Sequence, residues 1–381
     1  MARDIPFVDP HIGDEEVQAV SDVIRSGKLV EGEKTRSFEQ KFAKFTETKH
    51  AIACVNGTAA LHLAMEASPL QPGDEVITTP FTFIATSNSI LFTGAVPKFV
   101  DIDKDTWNLN SELVEQAITP KTKAIMPVHI FGLPADMKAF KDIAEDNDLF
   151  LIEDAAQAHG ARIDGTHVGG FGDLATFSLY VSKNLISGEG GIITTNNDEL
   201  AENIISLKNH GRTPKGGYEH IQVGYNYRMY DVTGAIADIQ MNKIDNLLER
   251  RKETAKQYRK IIDEIPNLGY QQIPNGMTHG NYIFAVDTRD HEIKPEEAVK
   301  KFREKGIMTR PIYSKLSYQQ VNFKNIGNWR WAKFVDYPDY NTDNCILAEQ
   351  IAVNHFEIPV VPSLNKEEIE KVKSAVSEIF T

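Results

Sequence analysis

An α/β architecture with a largely parallel sheet, followed by a smaller α+β unit, is predicted by three features of this 381-residue chain. Short apolar runs alternate with helical segments from about residue 50 to 200, the pattern of strands joined by crossover helices. Chemically distinctive groups stand at the ends of those runs: Asn56-Gly57-Thr58, Asp154 and Lys183. Ligands of open α/β sheets bind at the carboxyl ends of strands, so the three are expected to share one cleft. A long charged helical stretch from Asp231 then leads into a region of mixed strand and helix signals. The expected division is a large unit over 1–250, N-terminal arm included, and a small one over 251–381.

Composition narrows the function classes. Hydrophobic residues make up 41% and charged residues 25%, an ordinary balance for a soluble chain. A net charge of -13 disfavours nucleic acid, whose phosphates call for basic surface. The two cysteines, Cys54 and Cys345, lie far apart in apolar surroundings and suggest neither a disulfide framework nor a cysteine zinc site. No metal is expected. No apolar run approaches the ~18 residues of a membrane span, so no membrane partner is expected either. The stretch Met1-Ala2-Arg3-Asp4-Ile5-Pro6 lacks the apolar core of a signal peptide, and the cytoplasm is the expected compartment.

In order, residues 1–13 read as extended, punctuated by proline and glycine. Asp14 to Ser26 reads as a helix, with Val17, Val20 and Ile24 at helical spacing, acids in the first turn and Gly27 as the stop. Thr35 to Thr46 is a second helix, whose Phe38, Phe42 and Phe45 mark a core face. Strands are expected at 51–55, 75–79, 96–100, 124–128, 150–154, 175–181 and 192–195, and a helix at 135–147. Asp231 to Asp263 reads as one long helix with Ile236, Ile239, Ile244, Leu247 and Leu248 on its apolar face. The remainder offers strands at 281–286 and 307–311, helices at 294–305 and 365–380, and an irregular aromatic-rich segment at 319–345.

Four places carry candidate chemistry, each with a plainer alternative. Asn56-Gly57-Thr58 joins a strand to a helix, and free N–H groups and the helix dipole make that junction a phosphate seat. Helix capping by Asn56 or Thr58 explains the same residues. Phe83, in the loop after the next strand, either stacks on a planar ring or packs in the core. Asp154 ends a strongly apolar strand and must meet a cation or strong donors. The alternatives there are a helix cap or a structural ion pair. His159, five residues on, reads as structural, with no second ligand at metal-site spacing. Lys183 follows the apolar run Ala175–Val181 and precedes Gly188-Glu189-Gly190-Gly191. A lysine desolvated at a strand end is the type of amine that forms Schiff bases, and Ser178 is placed to reach a phosphate. A surface lysine in a glycine-rich hairpin accounts for the stretch equally well.

The motifs together carry a resemblance. Ser26-Gly27-Lys28 with Gly32, Asn56-Gly57-Thr58-Ala59-Ala60-Leu61-His62-Leu63, Glu153-Asp154-Ala155-Ala156-Gln157-Ala158, Phe177-Ser178, Lys183-Asn184, Gly188–Gly191 and Gly224-Tyr225-Asn226-Tyr227-Arg228-Met229 occur in this order. Over essentially its whole length the chain resembles the DegT/DnrJ/EryC1/StrS aminotransferases, which use pyridoxal 5'-phosphate to aminate nucleotide-linked ketosugars. Any one motif is weak; the ordered set is specific.

The resemblance implies a fold-type I pyridoxal enzyme, with a seven-stranded-type sheet in the large unit, acting as a homodimer with shared active sites. It implies that Lys183 holds the cofactor through a Schiff base and then serves as proton shuttle. Asp154 pairs with the ring nitrogen, Gln157 lies near the ring hydroxyl, and Phe83 stacks on the ring. Gly57, Thr58 and Ser178 hold the phosphate, and Asn226 reaches the cofactor phosphate of the other subunit. Lysine rather than histidine at 183 points to transamination rather than dehydration. Glutamate is the implied amino donor. Two stretches depart from the family: Val181-Ser182 before the lysine, and Tyr313-Ser314-Lys315-Leu316 on the sugar side. Competing readings are amination of a cyclitol or other cyclic ketone, and a non-catalytic regulatory protein that retains the cofactor. A nicotinamide enzyme is discounted, because no Gly-x-Gly-x-x-Gly follows the first strand.

Overall fold

The computed structural model describes residues 4–214 and 217–381. The extended reading of residues 1–3 and the part of the glycine-rich loop at 215–216 lie outside the described residues. Seven strands form the main sheet: β1 (His50–Cys54), β2 (Glu75–Thr78), β3 (Val96–Phe99), β4 (Thr122–Met126), β5 (Phe150–Asp154), β6 (Leu174–Ser178) and β7 (Gly191–Thr195). Their spatial order is β1-β7-β6-β5-β4-β2-β3. The run from β6 to β3 is parallel, while β7 is antiparallel to both its neighbours. Two reversals restore the direction of β1. The carboxyl ends of β1, β2, β5 and β6 therefore open on one edge.

Side chains alternate across this sheet with the two-residue period of a strand. Ile52, Cys54, Val76, Ile152, Leu174 and Ile193 face helices α3 (Gly57–Ala67) and α7 (Asp198–Lys208). Ala53, Ala175, Phe177 and Ile192 face the other way, onto Phe38 and Phe42 of α2 (Glu33–Thr46), with Ile77, Ile125 and Leu151 over Met137 and Phe140 of α6 (Met137–Asn147). Both faces are covered, which is why these strands read as nearly continuous apolar runs. Helices α1 (Asp14–Ser26), α4 (Ile84–Phe92) and α5 (Ser111–Ala117) complete the shell up to β7.

The long helix expected over 231–263 is two helices, α8 (Asp231–Met241) and α9 (Ile244–Ile262). The backbone tightens at the junction, where the N–H groups of Asn242 and Lys243 donate three residues back to Ile239 and Gln240. The break lets the Lys243 ammonium reach Glu15 at 2.8 Å and Glu16 at 2.7 Å on α1. A second antiparallel sheet follows, from β8 (Gly269–Tyr270), β9 (Phe284–Asp287) and β10 (His355–Ile358). It packs with α9, α10 (Pro295–Glu304) and the C-terminal helix Lys366–Phe380 in a separate core containing Tyr258, Val286, Phe302, Phe356 and Val372. Residues 307–311 do not form the expected strand. They make only single-residue bridges, Ile307 to Ile5 and Arg310 to Glu357, and Pro311 has no N–H to extend the ladder. Residues 281–283 also stay outside the strand, since Asn281 adopts a left-handed φ of 50°.

One buried carboxylate ties the N-terminal helices to the rest. Asp231, at the start of α8, accepts the backbone N–H groups of Gly32 (3.0 Å), Lys34 (3.3 Å) and Thr35 (2.8 Å), and the Thr35 hydroxyl (2.9 Å). It thus caps α2 from a distant point of the chain, satisfying donors that have no partner inside that helix. A Cβ on Gly32 would meet the Asp231 Oδ2 at 2.7 Å, so this approach requires glycine. Asp231→Ala leaves those donors buried without an acceptor and is expected to cost about 2–3 kcal/mol. The midpoint of urea unfolding measures it; a wild-type midpoint would show the cap to be dispensable.

Candidate active site

The strand ends and the segments at 282–283 and 310–322 line a cleft of about 1210 Å³. Gly57, Thr58, Phe83, Asp154, Gln157, Ser178 and Lys183 all line it. Its volume exceeds the ~300–1,000 Å³ of typical small-molecule pockets, leaving room for a cofactor and a second ligand together.

The floor is built by β1, β5 and β6. Asn56 ends the loop after β1 and caps α3, its Oδ1 accepting the Ala59 N–H at 2.8 Å. Capping and a phosphate seat coexist here, because Gly57 and Thr58 of the same first turn face the cleft. Gly57 lies tight against the end of β6, where a Cβ would stand 2.8 Å from Ser178 Cβ and 3.0 Å from its Oγ. That close approach brings a hydroxyl and a helix N-terminus to one point, a cradle suited to a phosphate.

Strand β6 stops at Ser178, three residues short of the expected Val181. The chain then turns, with the Lys183 N–H donating to Tyr180 O at 2.8 Å and the Val181 N–H to Gly188 O at 3.1 Å. Lys183 sits in this turn rather than at the strand terminus itself. Its Nζ lies 4.1 Å from the centre of the Tyr282 ring.

Asp154, the last residue of β5, is 4% exposed. Its Oδ2 accepts the Thr86 hydroxyl at 2.7 Å and its Oδ1 the Ala156 N–H at 3.1 Å. Burial raises its pKa, against the opposing pull of those two donors and of the nearby Lys183 charge. A carboxylate so placed favours a cation brought into the cleft. The neighbouring Glu153 points to the opposite side of the strand. Burial works against its charge, but His129 at 3.1 Å and the N–H groups of Gly172 and Gly169 hold its pKa below the usual value. His129 Nδ1 accepts the Ala135 N–H at 2.9 Å, so the other ring nitrogen is the donor to Glu153. His159 is enclosed by Phe42 and Phe177, and burial drives its pKa well down.

Gln157 is held at both ends. Its Oε1 accepts the Phe131 N–H at 2.9 Å and its Nε2 donates to the Tyr313 hydroxyl at 3.1 Å. Phe83, just before α4, is 57% exposed and leaves an aromatic face open to the cleft. Asn226 is not part of this group: it is solvent-exposed and absent from the cleft lining. Its segment is pinned between β1 and the end of α7, by Val55 N–H to Tyr227 O at 2.8 Å and Tyr227 N–H to Lys208 O at 2.9 Å.

Sequence reasoning missed Thr86, Tyr282 and Arg310 as cleft residues. Thr86 lies three residues after Phe83, and only its contact with Asp154 distinguishes it. Tyr282 arrives from the stretch leading into β9 and Arg310 from the chain bridged to Glu357 of β10, with no local motif to mark either. Tyr313, Ser314 and Lys315, identified by their departure from the family pattern, also line the cleft.

Residues 10–377 match the DegT/DnrJ/EryC1/StrS aminotransferase family. The chain is 33% identical to the GDP-perosamine synthase of Escherichia coli O157:H7, over 99% of each chain. The structure superposes on the S. venezuelae DesV structure with a TM-score of 0.90 at 32% identity, covering 99% of both chains. It superposes on NtdA from Bacillus subtilis, solved with bound cofactor PMP, with a TM-score of 0.88 at 28% identity, covering 100% of this chain and 86% of that one. The seven-stranded sheet, the strand-end cleft and these likenesses lead to one conclusion: the chain belongs to the DegT/DnrJ/EryC1/StrS family of pyridoxal-phosphate-dependent aminotransferases, with the fold-type I architecture.

Proposed function

We propose that the protein transfers an amino group from glutamate to a nucleotide-linked ketosugar in the cytoplasm. The observation that carries this reading is the convergence of Lys183, Asp154, Gln157, Ser178, Gly57 and Thr58 in one cleft. Farther out, Asn88, Ser314, Gln320 and Asn322 supply uncharged hydrogen-bonding groups suited to hydroxyls, and Arg310 and Lys315 supply charge suited to phosphate or carboxylate. A relative named for making GDP-perosamine makes a nucleotide-linked product, which supports a nucleotide carrier here.

Pyridoxal phosphate, when bound, supplies an electron sink for a carbanion. In this reading Gly57, Thr58 and Ser178 seat its phosphate, and Phe83 covers the ring. Asp154 provides the anion for the protonated ring nitrogen, which answers the charge penalty of its burial. Gln157, immobilised by Phe131 and Tyr313, would hold the ring hydroxyl. Lys183 would tether the cofactor, and its amine, when free, would be the base that takes the proton from the substrate carbon.

A second copy of the chain completes the site. Asn226 is exposed and outside the lining of its own cleft, and Leu29, Val30, Ile221, Val223 and Tyr230, nearby in the chain or structure, are exposed apolar side chains. We infer a homodimer in which Asn226 serves the phosphate seat of the other subunit.

Lys183→Ala should abolish turnover and the borohydride-fixed cofactor adduct detected by mass spectrometry. Asp154→Asn should keep that adduct while turnover falls by orders of magnitude. Near-normal turnover in Asp154→Asn would make Asp154 structural, and wild-type protein that takes up no pyridoxal phosphate would overturn the reading.

Asn226→Ala should weaken cofactor binding by about 1–3 kcal/mol, the loss of one donor to a bound group. Co-expressing Lys183→Ala with a multi-site variant of the Asn226 segment should restore partial activity, since a hybrid dimer holds one intact site. A fully active monomer by light scattering, or no rescue despite proven hybrids, would refute shared sites.

A further inference from the structure

We propose that Tyr282 is a positioning residue for Lys183, a docking surface that receives the lysine amine whenever it is not bonded to the cofactor. The inference rests on the assignment of Lys183 as the tether.

Transamination requires that lysine to leave the cofactor and return in every cycle. A freed lysine side chain has several rotatable bonds and a compact charge, and both favour solvent over an enclosed cleft unless something holds it. The Nζ of Lys183 lies 4.1 Å from the centre of the Tyr282 ring, inside the ~6 Å range of a cation over an aromatic face. The Tyr282 hydroxyl is 3.0 Å from Ser182 Oγ, so the ring is fastened to the residue immediately before the lysine.

The backbone that carries Tyr282 is fixed with unusual thoroughness. Arg251 is buried, and its Nη1 donates to the carbonyls of Asn281 (3.4 Å), Tyr282 (3.2 Å) and Val360 (3.4 Å). Burial lowers its pKa to about 10. Arg259 Nη2 donates to Asn281 Oδ1 at 2.7 Å, and Asn184 Nδ2 to Gly280 O at 2.7 Å. Asn281 holds its left-handed backbone with its N–H on His279 Nδ1 and its amide on His279 O, both at 2.8 Å. A buried guanidinium that spends its hydrogen bonds on carbonyls is costly to keep, and the carbonyls it orders flank this aromatic ring. The segment 280–282 is thereby set before any ligand arrives.

A surface that stabilises the free lysine opposes the covalent tether. Removing the ring should therefore tighten cofactor binding, the reverse of what damage to a structural residue does. The test is a set of pyridoxal phosphate dissociation constants, measured by absorbance titration of the apoprotein for wild type, Tyr282→Met and Tyr282→Phe, each with Lys183 and with Lys183→Ala. Tyr282→Met should bind about ten-fold more tightly than wild type, while Tyr282→Phe, which keeps the π face, should stay within about two-fold. In the Lys183→Ala background the methionine substitution should change nothing. Tyr282→Leu provides a second ringless variant should the methionine protein misfold. Binding no tighter than wild type in both ringless variants would overturn the proposal, as would equal tightening without Lys183. Equal affinity of wild type and Lys183→Ala would instead remove Lys183 as the tether, a distinct failure of the functional reading.

Discussion

A carboxylate buried at the end of a central strand is expensive unless a cation meets it, and this constraint organises the molecule around Asp154. The Thr86 hydroxyl and the Ala156 N–H support the side chain but do not neutralise it. Glu153, one residue earlier on the opposite side of β5, shows the contrasting solution. It is met by a histidine and by backbone donors, and its pKa falls where that of Asp154 rises. Adjacent acids thus divide the labour: one locks the loop over 169–172 to the sheet, and the other stays available to a ligand.

The sheet turns that availability into a site. Because β7 runs against both β1 and β6, the ends of β1, β5 and β6 share one edge despite their separation in sequence. Gly57 then permits α3 to start in contact with Ser178. The chain beside the second sheet closes the opposite wall, with Tyr282, Arg310 and Tyr313 facing the strand ends. Lys183 lies between the two walls, with its turn beside the main sheet and its amine over the Tyr282 ring.

Much of this was legible in the sequence where a local rule applied. Alternating apolar runs located the seven strands to within a few residues, and the chemistry at their ends located Asp154, Ser178 and the Asn56 turn. What escaped was set by distant contacts. The break between α8 and α9 has no glycine or proline to announce it and is matched to acids more than two hundred residues away in α1. Residues 307–311 have strand composition, but their neighbours offer only isolated bridges. Tyr282 looked like one more strand aromatic until the fold set it against Lys183. Asn226 was singled out by family resemblance alone, and within one chain it is not among the described residues that line the cleft.

The proposed site would hold pyridoxal phosphate in the strand-end cleft between Asp154 and Lys183. A crystal structure of the protein grown with the cofactor tests it most directly. The expected result is density continuous with Lys183 Nζ, the ring nitrogen within hydrogen-bonding distance of Asp154, and the phosphate over Gly57, Thr58 and Ser178. A cofactor bound with its ring nitrogen turned away from Asp154, or attached to a different lysine, would contradict it.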